Sequence, residues 1–172
     1  MIQFIPQGPQ IPEEVIQALN NDNLVLFCGS GISMNNGLPS FEDLVKKICK
    51  NLKNIDIEKT LLKEGMNQKK YDLMLDLIES GQDFSVGRTR LIKEVITILK
   101  DFKGEIDIHK SLLELSVLPD NKGHRIVTTN FDRLFFEAGL KSKFSDTAPK
   151  LAPPREETWK NLTFLHGVID RS

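Results

Sequence analysis

The chain has 172 residues, 40% apolar and 27% charged, the balance of one ordinary globular domain. Its formal net charge of −1 leaves no electrostatic footprint for direct binding of nucleic acid or an anionic membrane surface. No apolar run approaches the length of a membrane span, and the N-terminus MIQFIPQGPQIPEEV has neither the charged start nor the long apolar core of a signal peptide.

In chain order, residues 1–10 carry Pro6, Gly8 and Pro9 and read as irregular. Pro12 fits the first position of a helix, Glu13 and Glu14 suit its positive end, and Val15, Ile16 and Leu19 form its stripe. After a turn at Asn20–Asn23, Leu24–Cys28 is an apolar run bounded by Gly29-Ser30-Gly31, the pattern of a buried strand. The two glycines allow a tight turn and let a ligand approach the main chain closely. A helical turn over 32–36 would point its N–H groups at the same place, which suits a phosphate. The same residues also fit a Gly-rich turn of any α/β protein. Met34 stands where the dinucleotide fingerprint wants a third glycine, and no Gly-Lys-Ser/Thr follows.

Gly37-Leu38-Pro39 is a break, and Ser40 reads as an N-cap with Asp43 three residues on. Phe41, Leu44, Val45, Ile48 and Leu52 follow at helical spacing, the pattern of core packing. From 57 to 117 the pattern is helical throughout. Tyr71, Met74, Leu75 and Ile78 form one stripe. Leu91, Ile92, Val95, Ile96, Leu99 and Phe102 form a second. Ile108, Leu112 and Leu115 form a third, with Asp107 as its cap. Gly81, Gly87 and Gly104 separate the segments. Lys46-Lys47 and Lys69-Lys70 have acidic residues nearby and read as solvated faces. Arg125–Thr129 is a second strand, and a short helix from Phe131 ends at Gly139. Residues 141–160 are polar, with Pro149, Pro153 and Pro154 and space for a short edge strand near Phe144; Leu162–Leu165 is the third strand.

The second and third strands end in Thr129-Asn130-Phe131-Asp132 and His166-Gly167. In open parallel sheets ligands sit outside the carboxyl ends of the strands, so three such ends can share one crevice. His166 suits a general base because an imidazole titrates near neutral pH; a structural histidine at a strand end is the alternative. Asn130 transfers no proton, but its amide donates and accepts; it also suits a simple turn. Asp132 is either a ligand-orienting carboxylate or the N-cap of the helix after it. His109, inside a helical pattern, and His124, before a strand, read as structural or surface residues. Cys28 and Cys49 read as buried thiols in a reducing, cytoplasmic setting. With no C-x-x-C pair there is no basis for a structural zinc ribbon, and no His/Cys/acid cluster has metal-ligand spacing.

The ordered set GSGIS, GLPSF, TTNFD and LHG, within residues 24 to 167, resembles the sirtuin-like (silent information regulator) NAD-binding domain. It is most similar to the bacterial branch of NAD hydrolases often found in anti-phage defence proteins. The resemblance implies an α/β fold, a Rossmann-like parallel sheet with a large helical insertion at about 41–117, and NAD as substrate without zinc. It places Gly29, Ser30, Gly31 and Ser33 around the pyrophosphate. Pro39, Ser40 and Phe41 line the nicotinamide end, Thr129 and Asp132 contact the cofactor, and Asn130 and His166 carry the chemistry. The expected reaction is NAD hydrolysis to nicotinamide and ADP-ribose. The nicotinamide is a cationic pyridinium and leaves without a general acid, so the protein must stabilise an oxocarbenium-like transition state and supply a nucleophile.

Two rivals stand beside this. Deacylating sirtuins carry a zinc ribbon and a Pro-Asp-Phe-Arg run where this chain has Pro39-Ser40-Phe41-Glu42, which weighs against a protein deacylase. A non-catalytic NAD or ADP-ribose sensor has no need of Asn130 and His166. The resemblance further implies a sensor module in the same longer chain or a partner protein, and a homo-oligomer. In that family further strands follow the His-Gly pair. The 172 residues are therefore expected to be the N-terminal portion of the domain, with an apolar sheet edge exposed or covered by self-association, and with weak NAD binding and turnover alone.

Overall fold

The computed structural model describes residues 1–52, 64–65, 67–80, 84–100, 104–119, 123–148 and 161–169. The helical pattern at 57–63 and the expectations at Gly81, Phe102, Pro149, Pro153 and Pro154 lie outside the described residues. The chain divides into two compact units, Met1–Gly29 with Ile106–Val168, and Ser30–Glu105 with Ile169–Ser172.

The first unit is built on a four-stranded sheet: β1 (Leu26–Cys28), β2 (Ile126–Thr128), β3 (Ser145–Thr147) and β4 (Leu162–Phe164), in the order β1-β2-β4-β3. Every neighbouring pair is parallel, an α/β, Rossmann-like arrangement, so all four carboxyl ends lie along one edge. β2 is buried at each of its three residues, as a central parallel strand covered on both faces must be. β3 is the edge strand foreseen near Phe144, following a single 3-10 turn at Ser142–Phe144. At the other edge β1 is shorter than the apolar run Leu24–Cys28, with Val25 and Phe27 exposed, Phe27 at 68%.

Helix α1 (Glu13–Asn20) begins one residue later than expected. Pro12 has an extended ψ of 141° and stands as its N-cap, because the main chain has not yet turned there. The short helix after β2 ends in a Schellman turn: Leu140 N donates to Phe135 O and Gly139 N to Phe136 O, with Gly139 at φ 109°. Its Phe136 stacks on the fully buried Phe164 of β4, with ring centroids 5.5 Å apart.

The helix Asp107–Ser116 corrects two expectations. Asp107 is its first helical residue, not its cap; Ile106 stands at the cap, and the Asp107 carboxylate pairs with Lys110 at 3.3 Å. The expected stripe of Ile108, Leu112 and Leu115 is not the buried face. Ile108 and Leu115 are exposed, and His109, Leu113 and Ser116 are buried instead. Ser116 is accommodated by local bonds: its Oγ donates to Leu113 O at 3.1 Å and lies 3.2 Å from His124 Nδ1. His124 Nδ1 is also 3.1 Å from Leu113 O, so this nitrogen carries the proton.

The second unit is helical: α2 (Gly31–Met34), α3 (Phe41–Asn51), α4 (Tyr71–Ser80) and α5 (Phe84–Leu99). Helices α3, α4 and α5 pack on one another, and Leu44, Val45, Ile48, Met74 and Leu99 are buried. Each such side chain contributes on the order of 1.5–3 kcal/mol on burial. Ser40 caps α3 as expected, accepting from Asp43 N at 3.2 Å and donating to Asp43 Oδ2 at 2.8 Å. Gly87 does not separate helices; it lies buried within α5, where flanking helical residues and packing outweigh its roughly 1 kcal/mol propensity cost. The two chain ends of this unit are tied by Asn36 Nδ2 donating to Glu105 O at 2.5 Å. Beside it Gly104 adopts φ 123°, a conformation that favours glycine. Among the described residues no helix is long and apolar enough to cross a membrane.

Candidate active site

In the first unit the carboxyl ends of the strands are stitched at one level. Thr129 N donates to Cys28 O at 3.1 Å, Leu165 N to Thr128 O at 2.9 Å, and Ala148 N to Phe164 O at 3.1 Å. Immediately beyond these bonds come Gly29, Thr129, Asn130 and His166. The sheet therefore gathers onto one edge the residues singled out at the ends of β1, β2 and β4.

Asn130 is held from below. Thr128 Oγ1 donates to Cys28 O at 3.0 Å and accepts from Asn130 N at 3.1 Å, joining β1, β2 and the start of the turn through one buried hydroxyl. Asn130 itself is 5% exposed. The turn then brings the ring of Phe131 beside that of His166, with centroids 5.9 Å apart and planes inclined by 37°. His166 is exposed, in the turn that follows β4, and Gly167 beside it adopts φ 85°. At Gly29 the Thr129 hydroxyl lies 4.0 Å from the position a Cβ would take.

Asp132 is also 5% exposed, and its Oδ1 accepts from Leu134 N at 3.0 Å. One carboxylate oxygen thus serves the start of the helix Leu134–Glu137, the capping role weighed from sequence, although the bond comes from one residue before the cap position. The sequence reads His109 as a structural or surface residue. His109 is fully buried, and its ring meets Phe135 edge-on at 5.0 Å. Burial pushes the His109 imidazole below its ordinary pKa, and the Asp132 carboxylate acts in the opposite direction. The signal for it was spacing: His109, Leu113 and Ser116 recur at the i, i+4, i+7 positions of one helix face.

In the second unit Gly31 opens α2, and among the described residues beyond that helix's own backbone a Cβ there would meet nothing within 4 Å. Neither Gly29 nor Gly31 has a positive φ, so the tight turn expected of them does not itself require glycine. Ser33 is 2% exposed, and its backbone closes the turn by donating from N to Ser30 O at 3.0 Å. Pro39 and Ser40 are half-buried ahead of α3. The Ser40 hydroxyl is engaged in the helix cap. Phe41 packs edge-on against Tyr71, with centroids 6.5 Å apart.

Among the described residues no three His, Cys, Asp or Glu side chains are grouped to hold a metal ion. Cys28 and Cys49 are free thiols, both pushed above the ordinary range by burial, and Cys49 is only half-buried.

No family model matches the chain. It is similar to the NAD(+) hydrolase ThsA of Cytobacillus dafuensis, with 30% identity over 170 residues. The match covers 93% of this chain, which spans 29% of the length of that relative.

Proposed function

We propose that this chain carries an NAD+ hydrolase activity, cleaving the nicotinamide–ribose bond to release nicotinamide and ADP-ribose. One observation carries the proposal: Asn130 and His166 stand at the carboxyl ends of the adjacent parallel strands β2 and β4, in a chain 30% identical to an NAD(+) hydrolase. The oxygen of a water attacks C1′ of the nicotinamide ribose. The C1′–N bond breaks, its electron pair passes to the pyridinium nitrogen and cancels the positive charge. The proton of the attacking water goes to His166. Holding that water in line is the task of the Asn130 amide, whose main chain is fixed by Thr128; such placement turns an encounter into a near-unimolecular step. General-base transfer by a positioned imidazole typically adds about 10²–10⁴-fold.

The remaining residues bind. Gly29, Ser30, Gly31 and Ser33 carry the pyrophosphate through main-chain approach, for which the open space over Gly31 speaks. Pro39, Ser40 and Phe41 attend the nicotinamide end, and Thr129 and Asp132 complete the contacts. Ser40 and Asp132 act there with part of their hydrogen-bonding capacity already used by the helix starts. We further propose a sirtuin-like domain with the segment about 41–117 as its helical insertion. It is zinc-free and cytoplasmic, and it serves anti-phage defence as a homo-oligomer coupled to a sensor module.

The test is chromatographic. Incubation with NAD should yield free nicotinamide and ADP-ribose at equal rates, unchanged by an acetylated peptide. Release that requires the peptide, with an acylated ADP-ribose as product, would make the protein a deacylase instead.

A further inference from the structure

The helix Asp107–Ser116 turns a histidine into the core while leaving Ile108 and Leu115 outside. An apolar side chain at position 109 would pack without the cost of burying a polar ring. A buried imidazole there calls for a partner that uses its polarity, and two residues of this unit act on the ring. One is Phe135, met edge-on at 5.0 Å and 75°, in the first turn of the helix after the Asn130 turn. The other is Asp132, whose charge acts on the imidazole and whose Oδ1 starts that same helix at Leu134 N.

The turn Asn130–Arg133 is thus held at both ends. At its start the Thr128 hydroxyl fixes Asn130 N. At its end Asp132 Oδ1 accepts from Leu134 N and Phe135 meets the His109 ring, on which the Asp132 charge also acts. Between the anchors, Phe131 lies against the ring of His166. A shift of Asp132 or Phe135 would therefore be passed to Asn130 two residues back and to the His166 ring. Neighbours on the helix do not offer this service: Leu113 and Ser116 are engaged with one another and with His124.

We infer that His109 is a positioning residue for the reaction, fixing the turn that aims the Asn130 amide through its edge-on contact with Phe135 and its electrostatic coupling to Asp132 while touching no substrate. The inference rests on the NAD+ hydrolase proposal for its kinetic consequence, but not for its structural one. His109→Leu keeps apolar bulk and removes the polar ring. His109→Asn and His109→Gln return an amide near the position of one or the other ring nitrogen.

The experiment measures steady-state NAD hydrolysis, thermal melting and amide-hydrogen exchange on the full 172-residue chain. In His109→Leu, kcat should fall at least about tenfold while KM stays within twofold. The melting transition should remain cooperative. Exchange over residues 129–136 should quicken at least about tenfold, with β2 and β4 protected as before. One of the two amide variants should recover most of the lost kcat. Unchanged exchange over 129–136 in His109→Leu overturns the inference whatever the activity. So does unchanged kcat alongside an active wild type and an inactive His166→Ala. Should His109→Leu fail to fold, the amide variants decide: wild-type kcat and exchange over 129–136 in one of them, with kcat at least about tenfold lower and quicker exchange in the other, supports the inference, and the same values in both contradict a specific polar role. Absence of turnover in the wild type, with faster exchange in His109→Leu, would defeat the hydrolase proposal and leave the positioning contact standing.

Discussion

Thr128→Val isolates the hydroxyl on which the proposed site is built. Valine keeps the shape and loses one oxygen, and that oxygen makes two buried bonds, to Cys28 O at 3.0 Å and from Asn130 N at 3.1 Å. The two losses differ. Cys28 O keeps a second donor, Thr129 N at 3.1 Å, so that side loses only the net worth of one hydrogen bond, about 1 kcal/mol. Asn130 N loses a buried acceptor at a residue 5% exposed, at a cost of about 1–3 kcal/mol. The sum is roughly 2–4 kcal/mol, which for a domain of this size lowers the melting temperature by roughly 5–15 °C. Thr128→Ser is the control: it keeps the hydroxyl and loses one buried methyl, about 1 kcal/mol. Urea unfolding of the three proteins should rank them wild type, Ser, Val. NAD hydrolysis should fall most in the Val variant, because a misplacement of about 1 Å costs about 10²-fold. A Val variant as stable as the Ser variant, or more so, would show that the hydroxyl does not bridge β1, β2 and the Asn130 turn.

Stability should be greatest near neutral pH. Burial lowers the pKa of both His109 and His124, so the unfolded chain takes up protons that the folded chain does not. This stabilisation is complete above the ordinary imidazole pKa of about 6.5 and is lost as pH falls below it. The Cys28 and Cys49 thiols are raised by burial, so stability also falls as pH rises past the ordinary thiol pKa of about 8.5. Melting temperatures flat from pH 5 to 7 would contradict the histidine part. Gly31→Val should change melting little, since a Cβ at Gly31 would meet nothing within 4 Å among the described residues beyond its own helix, yet lower NAD affinity at least about tenfold by calorimetry. Equal affinity would place the pyrophosphate elsewhere. Elemental analysis of the folded chain should find no stoichiometric zinc; one zinc per chain would revive the deacylase alternative.

What was legible in the sequence were the features with short-range causes. Apolar runs bounded by turn residues located β1, β2 and β4 to within a residue or two. The Ser40 cap needed only a serine and an aspartate three residues apart, and Gly139 announced the end of its helix. The order of the strands was not legible, because register between Cys28 and Thr128 joins residues a hundred positions apart. The face of the helix Asp107–Ser116 was misread for a related reason. Its apolar residues point to one stripe, but packing buries the neighbouring one, where Ser116 bonds locally to Leu113 and His124 and the His109 ring meets Phe135. Gly87 reads as a break because glycine alone weakens helices, yet it lies buried within α5. The end-of-strand residues were legible as a set, and the parallel sheet explains why Asn130 and His166 arrive on one edge.

The central claim is that Asn130 and His166 carry NAD hydrolysis, and nicotinamide release over time by the 172-residue chain tests it most directly. With wild type, Asn130→Ala and His166→Ala compared at equal, high protein concentration, slow release by the wild type and at least about a hundredfold less by each folded variant is the predicted result. Release by both variants at the wild-type rate would contradict it and move the chemistry away from this edge of the sheet.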